Sequence, residues 1–245
     1  NIQVFVRPIN PKVVQTWKEE DKRGKTLASL MVIAGPQDIL GKEIALHEDK
    51  TTVEGDLEPQ ALDYAQREIS HAKPQRFQPD DSVLKYFLNV HRPLPTLIVV
   101  GGVHIAIPLV SLAKTLGYRT VVVDPRRMFG SQTRFPNVDQ LIQAWPEAAF
   151  EDISLTSSSA VAMLTHDPKI DDPALKIVLR SAAFYIGALG SRKTHAKRRQ
   201  RLLDEGMSES QLERLHAPIG LNLGGRAPEE IALAIMAEIV QARHR

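Results

Sequence analysis

From Thr96 onward, short apolar runs alternate with segments of helical spacing, and no other feature restricts the possible folds as much. "TLIVVGG" is a continuous apolar run closed by glycine, which suits a strand buried on both faces of a parallel sheet. In "VHIAIPLVSLAKTLG", Ile105, Leu109, Leu112 and Leu116 share one helical face, and Gly117 supplies a stop. Pro108 lies within the first turn, where a missing N–H does least harm. "RTVVVDP", "SSAVAMLTHD" and "AFYIGALGS" read as further buried strands, and "DDPALKIVLRS" as a helix opening on an Asp cap. The stretch from Arg126 to Leu155 is less regular. Repeated strand–helix units of this kind join through right-handed crossovers into a parallel sheet, so the expected class is α/β with a Rossmann-like C-terminal domain.

The first ninety or so residues read as a smaller mixed α/β domain. "IQVFVRPI", "TLASLMVIAG", "KEIALHE" and "SVLKYFLNV" are candidate strands. "NPKVVQTWKEEDKRG" has Asn10 placed as an N-cap, Pro11 at the first helical position and Gly24 as a stop. In "PQALDYAQREISHA", Ala61, Ala65, Glu68 and Ile69 share a helical face. Prolines at 74, 79, 93 and 95 punctuate the approach to Leu97, and the "HRPLP" segment divides residues 1–92 from residues 93–245. The chain starts at Asn1 within strand-like sequence, without an initiator Met, as expected of a fragment.

Composition excludes several classes. The 245 residues are 43% hydrophobic and 24% charged, as in a globular protein. The best apolar stretch, Ile231 to Val240, is interrupted by Glu238 and is too short to cross a bilayer, so no membrane role is expected. With 31 basic and 29 acidic residues, net charge gives no case for a nucleic-acid partner. Cysteine is absent, which rules out a disulfide, a Cys-held metal or a persulfide on these residues and fits a cytoplasmic location.

Ligands of open parallel sheets collect beyond the carboxyl ends of the strands. There the sequence places Gly101, Gly102 and His104 after the first strand and Asp124 and Arg126 after the second. Thr165, His166 and Asp167 follow the third, and the loop from Gly187 to Arg192 belongs to the fourth. "VVGGVHIA" stands where a dinucleotide fingerprint would, at a helix N-terminus that favours phosphate. Asp124, 23 residues beyond Gly101, holds the place of a ribose-binding carboxylate. Val103 replaces the second fingerprint glycine and Ala106 the third, so a tight turn that binds no dinucleotide competes with the ligand reading. His166 reads as a base, a ligand or a plain hydrogen-bonded residue, whereas the helix dipole suits His104 to a neutral role. Asp171 and Asp172 read as helix caps. "GALGSRKTHAKRRQR" offers Ser191 as an N-cap and a largely solvated basic helix, from whose start Arg192 can reach an anion. Glu229 and Glu230 complement the dipole of the last helix, which begins at Pro228.

In order, "GGVHIA", "VVVDPR", "RFP", "LTHD", "DDPAL", "YIGALGSR" and "HAPIGLNLGGRAPEEIALAIMAEI" resemble the C-terminal Rossmann domain of the XdhC/CoxI family. The first ninety residues are similar to the later part of that family's N-terminal domain. The resemblance implies an accessory factor, a carrier or chaperone rather than an enzyme. Such a factor binds molybdenum cofactor (molybdopterin), protects it while a cysteine desulfurase supplies its terminal sulfur, and delivers it to xanthine dehydrogenase or a related molybdenum hydroxylase. The matching positions are Gly101, Gly102, His104, Asp124, Arg126, Thr165, His166, Asp167, Gly187, Gly190, Ser191, Arg192, Gly220, Gly224 and Arg226, all expected to bind cofactor, with no catalytic or metal-ligating residue among them. Departures are Val103 for a usual glycine, Asn222 for a common Asp and Ala227 for a common capping Thr. Two other readings stay open: an NAD(P)-dependent oxidoreductase with His104 or His166 as proton donor, and an interaction protein whose crevice is empty. A homodimer is also left open.

Overall fold

The structure, a computed structural model, describes residues 6, 8, 10–47, 57–69 and 73–244. It divides into two compact units, Asn1–Pro93 and Leu94–Arg245. The strand expected over "IQVFVRPI" lies, apart from Val6 and Pro8, outside the described residues.

The first unit is an antiparallel sheet of β1 (Leu27–Ala34), β2 (Glu43–His47), β3 (Gln75–Phe77) and β4 (Lys85–His91), in the order β2-β1-β4-β3. Helix α1 (Pro11–Arg23) is capped by Asn10, whose side chain accepts from Lys12 N–H, and ends at left-handed Gly24. Helix α2 (Pro59–Glu68) carries Ala61 and Ala65, which with Ile69 just beyond it join Ala28, Leu30 and Val32 in one core. Leu27 points the other way, with Val13 and Trp17 of α1. Successive strand residues face opposite sides, so the two helices cover opposite faces of the sheet.

In the second unit β5 (Thr96–Val100), β6 (Arg119–Val123), β7 (Gln140–Ile142), β8 (Ser159–Met163), β9 (Tyr185–Ala188) and β10 (Leu215–His216) form a parallel sheet in the order β10-β9-β8-β5-β6-β7. Alternate strand residues again separate two cores. Leu97, Val99, Val122 and Ala162 pack with α3 (Ala106–Thr115) and α8 (Pro228–Arg243). Ile98, Val100, Val161 and Met163 pack with α4 (Pro146–Asp152), α5 (Pro168–Val178), Leu202 of α6 (Arg192–Asp204) and Leu212 of α7 (Glu209–Leu212). Strand order reverses at β5, whose neighbours β6 and β8 lead to opposite halves of the sheet, and a crevice forms at such a point.

Three local expectations are corrected. The stretch from Arg126 to Leu155 contains β7 and α4, too short to show a period. Helix α5 opens at Pro168 rather than at the Asp pair, because Asp167 is extended and its side chain caps Lys169 N–H. Asp171 and Asp172 are therefore buried inside the helix and cap nothing. On α3 the buried face is Ala106, Leu109, Val110 and Ala113, while Leu116 beyond the helix end is 50% exposed.

Candidate functional site

The turn after β5 is held by the chain itself. Gly102 N–H donates to Asp124 Oδ2 at 2.8 Å. A Cβ on Gly102 would lie 2.4 Å from the Phe129 carbonyl oxygen, so glycine is required here because the loop after β6 presses on the turn. Val103, in place of a fingerprint glycine, packs against the core shared by α3 and α8. His104 is exposed beside the start of α3.

Asp124 is fully buried, and both its oxygens are engaged. Oδ1 accepts from Arg126 N–H and Nε at 2.9 Å, and Oδ2 accepts from Arg126 Nη2 and Gly102 N–H at 2.8 Å. Burial by itself would raise this carboxyl, but the Arg126 side chain, with the Arg126 and Gly102 N–H groups, outweighs it and holds Asp124 below the usual carboxylate range. Arg126 is raised in turn, first by its hydrogen bond to Asp124, and its guanidinium lies 4.2 Å above the Phe129 ring. A ribose hydroxyl pair would have to displace Arg126 to reach Asp124.

Beyond β8 the chain turns through Thr165, His166 and Asp167. Thr165 is buried against the Gly101 turn, donates to Asp171 Oδ1 and accepts from Asp167 N–H. His166 is exposed and left-handed, with φ of 67°. Asp171 also meets Arg198 Nη2 at 3.1 Å, with the two side chains 1% and 2% exposed. Burial raises the Asp171 carboxyl, and the bonds from Thr165 and Arg198 offset that only in part. The next residue on α5, Asp172, receives Arg201, one turn beyond Arg198 on α6, through Nε at 2.6 Å and Nη2 at 3.0 Å. Helix α6 is otherwise largely exposed, as its basic sequence leads one to expect, but Arg198 and Leu202 face inward. Sequence reading missed this pairing, although two adjacent carboxylates on α5 facing two arginines three residues apart on α6 were its available signal.

A cleft of about 270 Å³ opens between the starts of α5 and α6. His166, Pro168 and Asp171 line one side, and Lys193, Thr194, Lys197, Arg198 and Arg201 the other. Ser191 caps α6 by accepting from Thr194 N–H, and Gly190 and exposed Arg192 flank it.

The remaining candidates lie elsewhere. Gly187 is inside β9, not in a loop, and a Cβ there would lie 2.5 Å from Ile219 and 2.6 Å from the Tyr185 hydroxyl. Its smallness serves packing. Gly220 N–H donates to Glu238 Oε2 at 2.7 Å, an oxygen that also accepts from Tyr185 at 2.6 Å, while Glu238 Oε1 lies 3.1 Å from His216 Nδ1. Gly224 and Arg226 belong to an exposed loop before α8, where Arg226 N–H donates to Glu230. By contact, then, the structure joins Gly101, Gly102, Asp124, Arg126 and Thr165. His166 borders the α5–α6 cleft, and Gly187, Gly224 and Arg226 are outside that cluster. Among the described residues no group of three or more His, Asp or Glu side chains can hold a metal ion.

A six-stranded parallel sheet with this strand order, a glycine turn at the reversal point and a carboxylate ending the next strand defines a Rossmann-type domain. The sequence profile of the XdhC Rossmann domain matches residues 97–239, and the chain belongs to the XdhC family. It is 33% identical over 165 residues to a probable xanthine dehydrogenase subunit of Bacillus subtilis (strain 168), covering 67% of this chain and 48% of that protein. It is 29% identical over 152 residues to the molybdenum cofactor insertion chaperone PaoD of Escherichia coli (strain K12), covering 62% and 41%. The uncharacterized protein YqeB of the same strain is 27% identical over 233 residues, covering 91% and 42%. The chain thus spans less than half the length of these curated relatives. A solved structure of a xanthine dehydrogenase from Bacillus halodurans shares the fold, with a TM-score of 0.69 at 24% identity over 97% of this chain and 69% of that one.

Proposed function

We propose that this chain is the cofactor-holding part of an accessory protein for molybdenum hydroxylases such as xanthine dehydrogenase. In this reading the carboxyl edge of the parallel sheet binds molybdenum cofactor and presents it to a cysteine desulfurase and then to the client enzyme. The observation that carries the reading is the group of cations on that edge, Arg126, Lys193, Lys197 and Arg198, on a scaffold whose sequence is related to a molybdenum cofactor insertion chaperone. An anionic cofactor fits this donor set, since Arg198 has two buried nitrogens without an acceptor. The cofactor supplies the redox chemistry of the client. The residues of this chain bind and orient it, and none of the 245 is a cysteine able to carry the sulfur.

The oxidoreductase alternative needs a positioned proton donor. His104 and His166 are both exposed, and neither ring has a hydrogen-bond partner among the described residues, so nothing orients either one. Mass spectrometry of the small molecule retained after anaerobic, non-denaturing purification tests the choice. A molybdopterin mass is expected. A nicotinamide nucleotide, together with substrate-dependent NADH formation lost in His166→Ala, would overturn the proposal.

A further inference from the structure

Arg198 is buried to 2% exposure, yet only one of its three guanidinium nitrogens is satisfied. Nη2 donates to Asp171 Oδ2 and to the Leu189 carbonyl, both at 3.1 Å, whereas Nε and Nη1 are buried without any acceptor. Buried donors of this kind are rare, because each leaves a desolvated polar group unmatched. Arg198 lines the cleft between α5 and α6, so an acceptor entering the cleft would answer the deficit.

The charge of the cleft specifies the acceptor. Arg198 and Arg201 are neutralised by Asp171 and Asp172, but Lys193 and Lys197, also on the cleft, have no ion-pair partner among the described residues. They lie four residues apart and so share a face of α6. The first turns of α5 and α6 both border the cleft, adding two helix N-termini that favour negative charge. Thr194 stands beside them as a hydroxyl donor.

We propose that this cleft is a phosphate site, taking the phosphomonoester end of a small ligand. Two unpaired lysines match a dianion, and the arginine supplies planar N–H donors suited to its oxygens. At about 270 Å³ the cleft is smaller than the usual small-molecule pocket, so it admits the phosphate and little more. The rest of the ligand extends outside. The site uses the same Lys193, Lys197 and Arg198 that carry the proposed function and so rests on that reading, while it is distinct from the Gly101–Gly102 turn where a dinucleotide fingerprint would act.

The test is calorimetric titration of the whole chain, at low ionic strength, with inorganic phosphate and with glycerol 3-phosphate, against potassium chloride at matched ionic strength. Saturable binding of both phosphates at one site is expected. The double variant Lys193→Ala/Lys197→Ala should weaken it about tenfold or more with unchanged thermal unfolding, since both side chains are exposed. Arg198→Lys, where it folds, should lose affinity as well, because an ammonium cannot replace the guanidinium plane. Equal heats with chloride, no saturation, or undiminished affinity in the double variant would overturn the site. Phosphate binding without retention of molybdenum cofactor would keep this site and remove the proposed function; the reverse result would remove this site alone.

Discussion

Asp124 anchors the turn after β5 by accepting from Gly102 and three times from Arg126. Asp124→Ala leaves those donors without their acceptor and should cost about 2–3 kcal/mol, measured by urea unfolding at pH 7. The sign of the pH effect follows from the lowered folded pKa. The carboxylate's contribution is fully present above the ordinary aspartate pKa, about 3.9, and is lost as pH falls through the lower folded value. The destabilisation of the variant should therefore shrink in strong acid, and a difference independent of pH would contradict the assignment. His166 poses a different question, because a left-handed backbone costs a histidine more than a glycine. His166→Gly should be neutral or stabilising by up to about 1 kcal/mol, and His166→Val destabilising, as read from thermal unfolding. Destabilisation by both would mean that the ring itself holds the loop.

At the level of elements, Glu238 ties α8 to the ends of β9 and β10 through Tyr185, Gly220 and His216. Burial pushes this carboxyl up, but the bonds from His216, Tyr185 and Gly220 prevail and its pKa is lowered. Its support is therefore present above about pH 4.3, the ordinary glutamate value, and fades as pH falls through the folded one. Glu238→Gln should lose about 1–3 kcal/mol at pH 7 and converge with the parent chain in acid, as followed by urea unfolding across pH. A constant difference would show that the charge is not what matters. Of the elements at this clamp, β9 and α8 were legible in the sequence because each is apolar on one side or both and bounded by Gly, Pro or a capping residue, whereas β10, two residues long, was not. Asn10, Ser191 and Gly24 are cases where one residue's chemistry fixes an end. Short β7 and α4 carry too few residues to show a period. The internal position of Gly187 depends on Ile219 and Tyr185, which only the tertiary fold brings together. The Asp171–Arg198 pair is of the same kind, since 27 residues separate its partners and each alone passes for a surface charge.

For the molecule as a whole, the described residues contain no helix long and apolar enough to cross a membrane, and family membership rests on residues 97–239. At the glycine turn, which looked most like a nucleotide site in sequence, the loop after β6 packs so closely on Gly102 that no side chain fits there. The cleft between α5 and α6 gathers Lys193, Lys197, Arg198 and Arg201 and is the place proposed above for an anion. Under the proposed function, this edge of the sheet holds molybdenum cofactor for transfer and does not use a nicotinamide for turnover. The most direct measurement adds molybdenum cofactor or NAD(P) to the chain under anaerobic conditions and quantifies molybdenum and nicotinamide eluting with it on gel filtration. Molybdenum co-eluting near one equivalent per chain, about one bound ligand in a single-site scheme, with nicotinamide left behind, is the predicted result. Nicotinamide retained and molybdenum lost would contradict it.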